Sequence, residues 1–122
     1  MNAVTETVRA APDITVAKST RRVTVRFNQQ IIADTARAQV LREGSRPAVY
    51  YLPLADVRQE YLDPTDHRTF CPFKGEANYW SIKVGEAFAE NAIWGYPHPL
   101  PALRAIKGHV AFYGDRVDVQ VM

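Results

Sequence analysis

The fourteen residues from His67 to Trp80 hold the chain's single cysteine with a histidine, a lysine, a glutamate and several aromatic rings. Three of these side chains could take part in covalent or proton-transfer chemistry: Cys71 as a nucleophile, His67 as a base, and Lys74 as an electrostatic or phosphate-contacting group. A thiolate–imidazole dyad requires hydrogen-bond reach. Pro72 pushes Cys71 out of the α region and into extended backbone. His67 and Cys71 then share a strand face about 13 Å apart, four steps of roughly 3.3 Å. Unless the chain bends near Arg68-Thr69, His67 does not serve Cys71. Phe70, Pro72 and Phe73 also surround the thiol with apolar matter, which favours a small inert hydrophobe over a catalytic group.

Beyond Gly75 the residues alternate, with Glu76, Asn78, Trp80, Ile82 and Val84 on one face and Ala77, Tyr79, Ser81 and Lys83 on the other. Trp80, Ile82 and Val84 read as core. Glu76 and Asn78 would then stand at one end of an inward face, where each needs a polar partner, water or a ligand. The stiff segment Trp94-Gly95-Tyr96-Pro97-His98-Pro99, with Tyr50, Tyr51 and Tyr113, can wall a pocket beside that face. The expected ligand-binding set is Glu76, Asn78, Tyr79, Trp80, Trp94 and Tyr51. The leading reading is a small-molecule-binding domain with a polar and aromatic pocket around residues 67–80. The alternatives are an enzyme using that pocket and a non-catalytic interaction module.

The elements that must position these residues read as strands. Val23–Phe27 alternates apolar and polar residues, Asn28-Gln29-Gln30 turns the chain, and Ile31–Asp34 continues it. Ala36–Arg42, Ala48–Leu52, Ala77–Val84 and Asn91–Tyr96 are further strand candidates, and only Leu54–Arg58 and Leu100–Ile106 suit short helical turns. Asp63-Pro64-Thr65-Asp66 fits a type I turn that reverses the chain before His67. Gly114-Asp115 fits a type II′ hairpin turn, pairing Tyr113 with Arg116, Phe112 with Val117 and Val110 with Val119. That register leaves His109 on the wetter face. The fold class is mainly β, with residues 1–20 as a flexible arm and 21–122 as one domain.

With 122 residues, 47% of them apolar, the chain suits one domain with a real core. Its net charge of +2 is small and its charges are interspersed, which disfavours nucleic acid. No apolar run reaches membrane-spanning length, and no secretory leader is evident. One cysteine and three dispersed histidines offer no paired metal-ligand spacing, so no metal is expected and no cofactor is identified. The expected protein is cytoplasmic, with a small-molecule partner and no membrane. An exposed edge strand leaves self-association open.

The strings Val25-Arg26-Phe27-Asn28, Ile32-Ala33-Asp34-Thr35, Leu62 to Thr69, Cys71 to Trp80, Trp94-Gly95-Tyr96-Pro97 and Val110-Ala111-Phe112-Tyr113 resemble the bacterial domain-of-unknown-function family 427 (DUF427). The Cys-Pro-x-Lys-Gly core within that order of flanking strings is its specific part. The resemblance implies a β-tent (Mss4-like) fold in which two antiparallel sheets lean together over a pocket. It also carries a nucleotidyltransferase-like label, although the chain has neither a Gly-rich phosphate loop nor an adjacent acidic pair on a strand. The single Cys71 excludes the paired zinc knuckles found in some relatives of that fold. Gln29 stands where the family's first hairpin usually has glycine.

Overall fold

In a computed structural model, which describes residues 7–11 and 13–122, the chain is built from strands joined by turns. The strands are β1 (Thr7–Ala11), β2 (Ile14–Lys18), β3 (Val23–Phe27), β4 (Gln30–Thr35), β5 (Gln39–Glu43) and β6 (Val49–Pro53). They continue as β7 (Leu62–Cys71), β8 (Gly75–Val84), β9 (Ala87–Gly95), β10 (His109–Phe112) and β11 (Asp118–Val121). Short 3₁₀ turns occupy Leu54–Asp56, Gln59–Tyr61 and Pro101–Ile106. An eight-stranded sheet runs in the order β1-β2-β5-β6-β10-β9-β8-β7, and a three-stranded sheet runs β11-β3-β4. Both are antiparallel throughout. The expected class, mainly β with two antiparallel sheets and short helical turns, is the one observed.

Strand periodicity explains how the large sheet can bury both of its faces. Leu52, Ile82, Ile93, Val110 and Phe112 point to the small sheet and pack with Val23, Val25 and Ile32. Their sequence neighbours Tyr51 and Ala111, together with Ala77 and Tyr79, point the other way. They pack with Ile14, Val16 and Leu41 beneath Leu103 and Ile106 of the last 3₁₀ turn. The sheet is not continuous along its middle. β6 and β10 pair only at Pro53↔His109 and Leu52↔Val110. Beyond that, Val49–Tyr51 pair only with β5, and Ala111 and Phe112 pair only with β9. A split therefore opens between β6 and β10.

Three local expectations are corrected. Residues 110–119 do not form a hairpin: β10 joins β6 and β9 in the large sheet, while β11 crosses to pair with β3 in the small one. The connection is a turn in which Arg116 N–H donates to Tyr113 O at 3.0 Å. Gly114 is absent from the positive-φ glycines, so the type II′ geometry is not formed. The apolar alternation that suggested mutual pairing serves a shared core instead, because Val110 and Val117 both pack in the layer between the sheets and Val119 lies against it.

Asp63–Asp66 does not reverse the chain either. It lies within β7, at a bulge between Pro64 and Arg68. β7 is the outer strand of its sheet, where a proline lacking its N–H is tolerated. The Thr65 hydroxyl holds the bulge by donating to Asn91 Oδ1 at 2.7 Å.

The expected arm at residues 1–20 also changes, from Thr7 onward: β1 pairs with β2 from Thr7↔Ala17 to Ala11↔Ile14. β2 pairs with β5 from Ile14↔Glu43 to Lys18↔Gln39, and its Ile14 and Val16 are 2% and 1% exposed. Thr15 between those two residues and Ala17 after them weaken the alternating signal without preventing burial. Residues 1–6 of the expected arm lie outside the described residues.

Candidate functional site

The β7–β8 hairpin delivers Lys74. Its register closes at Cys71↔Gly75, and Lys74 N–H donates to Cys71 O at 3.1 Å across Pro72-Phe73. The chain reverses across Pro72-Phe73, directly after the extended backbone of Cys71. Gly75 has φ +116°, and a Cβ there would lie 3.1 Å from His98 O, so glycine meets both a backbone and a space requirement. Leu100 N–H donates to Lys74 O at 3.1 Å, which docks residues 98–100 on the hairpin tip. The proline-rich turn thus folds over the central segment, with His98 itself exposed.

From the tip, the Lys74 ammonium reaches Glu43 Oε1 at 2.8 Å; the lysine side chain is only 12% exposed. Arg46, across the Gly44-Ser45 turn, lies 3.8 Å from the same carboxylate oxygen. Lys74, more than Arg46, holds the Glu43 carboxyl below the usual glutamate range, against the opposing effect of burial.

Beside this group is a cavity of about 240 Å³ walled by Tyr51, Tyr79, Trp94, Tyr96 and Tyr113, with Leu41 and Val49. It lies where β6 and β10 part. Trp94 Nε1–H donates to the Tyr51 hydroxyl at 3.2 Å, and the Tyr79 and Thr69 hydroxyls are hydrogen bonded at 2.8 Å. The Tyr51 and Trp94 rings meet edge-on with centroids 6.2 Å apart, and Trp94 and Tyr113 are tilted at 4.4 Å. Burial pushes the Tyr51 and Tyr96 phenols well above the ordinary tyrosine range. Burial and the Tyr79 hydroxyl push Tyr113 up to about 12. These phenols stay protonated across the physiological range and can donate hydrogen bonds.

The structure brings together four of the sequence-derived candidates. Lys74, Tyr51, Tyr79 and Trp94 line this one cavity. Cys71 is a half-buried free thiol packed against the same core cluster. His67 is not with it: the imidazole is exposed and meets the Tyr79 ring edge-on at 4.5 Å. His67 lies at the β7 bulge, whereas Cys71 closes the same strand at the hairpin tip.

Trp80 faces the opposite side of the sheet and packs against the inter-sheet core. Asn78 and Glu76 share its face by strand parity. Glu76 is exposed and Asn78 half-buried, so neither is a polar group stranded in a core. On that face of β8, Trp80, Ile82 and Val84 pack with the inter-sheet core. Of the expected ligand set, Tyr51, Tyr79 and Trp94 thus line the cavity, while Glu76, Asn78 and Trp80 stand on the other face of the sheet.

Glu43 and Arg46 are site residues that sequence reasoning missed. Glu43 meets a lysine thirty-one positions away, a relation no local pattern encodes. Tyr96 and Tyr113 belonged to the expected aromatic wall, and both reach it. Among the described residues, no three His, Cys, Asp or Glu side chains converge as a metal-holding group. The arrangement offers instead a box of rings and neutral phenol donors, with one carboxylate and two cations at its edge. Such a box can enclose a flat molecule and orient it by polar contacts.

The family model for a domain of unknown function, DUF427, matches residues 15–122. No curated protein matches the chain.

Proposed function

The chain belongs to the DUF427 family, and since membership assigns it no chemistry, we propose from the geometry that it is a small-molecule-binding domain. Its site is the ring-walled cavity beside Lys74. The observation that carries this reading is the convergence of Tyr51, Tyr79, Trp94, Tyr96 and Tyr113 on one opening next to a largely buried ion pair. A core would fill such a space with aliphatic side chains, without lodging a lysine and a glutamate there. A bound molecule can lie against the rings, accept hydrogen bonds from the phenols and exchange contacts with the Lys74–Glu43 pair.

A metabolite library screened by thermal shift tests this, followed by titration of each hit against Lys74→Met and Trp94→Leu proteins. A true ligand at about a hundredfold over its Kd should raise Tm by roughly 10 °C. Both substitutions should weaken it at least about tenfold. Affinity unchanged in both variants would place the ligand elsewhere and refute the assignment.

A further inference from the structure

The cavity beside Lys74 has a neighbour on the other side of the split. A cleft of about 420 Å³ is lined by Ala48, Tyr50, Leu52, Phe112 and Val119, most of them apolar. Arg46, Pro47, Val49, Trp94 and Tyr113 line both spaces, so the two adjoin at these side chains. The sheet backbone is itself parted there, because β6 and β10 stay paired only as far as Leu52↔Val110. The tilted Trp94–Tyr113 pair stands in the opening. Tyr113 is 38% exposed, and its backbone N–H donates to Ala92 O at 3.0 Å.

The charges at the first cavity are unequal. Lys74 and Arg46 face a single carboxylate, Glu43, leaving one positive charge among the residues that line it. The second cleft adds no acidic side chain and shares Arg46. A cation would meet net repulsion, whereas a single negative charge is matched.

We propose that the site takes an amphipathic monoanion, with a carboxylate held by Lys74 and Arg46 and an apolar chain passing the Trp94–Tyr113 pair into the cleft on the opposite face. This rests on the reading of the Lys74 cavity as a binding site and specifies its ligand class. The phenol donors supply further contacts to the head group, and the cleft removes the chain from water.

Calorimetric titration of the full chain with benzoate, 4-hexylbenzoate and 4-hexylbenzyl-trimethylammonium tests the proposal. In the wild-type protein 4-hexylbenzoate should bind at least about tenfold more tightly than benzoate, and the ammonium compound more weakly than either. Ala48→Trp, which fills the cleft from a half-buried loop position, should abolish the gain from the hexyl chain while leaving benzoate affinity within about twofold. Lys74→Met should weaken both acids. Equal affinity for the two acids, or a hexyl gain that survives Ala48→Trp, overturns the proposed tail site but leaves the Lys74 cavity as a binding site. Tighter binding of the ammonium compound overturns the head-group assignment. Benzoate affinity unaffected by Lys74→Met would count against the proposal and the underlying cavity reading together.

Discussion

Asp56 shows what one side chain contributes away from the cavity. Its carboxylate accepts the Thr35 hydroxyl at 2.6 Å and the Arg37 guanidinium at 3.0 Å, fastening the end of β4 to the turn after β6. Thr35 is 2% exposed, so its hydroxyl has no water to fall back on. Removing the acceptor in Asp56→Ala should cost about 1–3 kcal/mol in chemical denaturation at neutral pH. The Thr35 and Arg37 hydrogen bonds hold the Asp56 carboxyl below the ordinary aspartate range. A folded-state value below the unfolded one gives stability that is fully present above about pH 4 and lost as pH falls through the folded value. The gap between wild type and Asp56→Ala should therefore narrow below about pH 4, and a gap constant from pH 7 to pH 3 would contradict the assignment. The Lys74–Glu43 pair follows the same sign but sits at the cavity, where its disruption is read in binding.

At the scale of elements, turn chemistry separates the two hairpin expectations. The β3–β4 turn forms where Asn28-Gln29 was read, and both residues lie in the left-handed region, at φ 48° and 67°. A turn of this kind favours glycine at its second position, and Gln29 occupies it under strain. Gln29→Gly should raise stability by about 0.5–1 kcal/mol. Gly114, by contrast, needs no positive φ and has nothing within 4 Å of an added Cβ. Gly114→Ala should fall within about 0.5 kcal/mol of wild type, whereas a type II′ turn would lose more. Thermal melts of the two variants side by side decide both points. Trp80–Ile82–Val84 was legible as a core face because a single strand's parity is local. The partner of β10 was not, because apolar alternation is satisfied equally by any apolar strand that meets it.

At the scale of the molecule, the second core layer depends on β2. Ile14 and Val16 pack with Leu41 and Tyr51, and Tyr51 also walls the cavity. Ile14→Ala should cost about 2–4 kcal/mol. A chain starting at Arg21 should melt at a markedly lower temperature and expose Tyr51, which a blunt truncation of a loose arm would not do. Circular dichroism melts of the two proteins measure this, and an unchanged Tm for the shortened chain would show that β2 adds nothing.

The sequence alone determined the β class, the positions of most central strands and the extended backbone at Cys71, and it singled out Lys74, Tyr51, Tyr79 and Trp94, which line one cavity. Each follows from alternation, proline and glycine geometry or residue chemistry, or from the family strings that carry them. Only the tertiary structure decided which face each ring joins, since β11 leaves the sheet of β10 and the large sheet parts between β6 and β10. It moved Trp80, Asn78 and Glu76 away from the cavity and brought Glu43 and Arg46 to it. Those relations are made by contacts between residues far apart in the chain, and the burial that selects among them exists only once both sheets have packed.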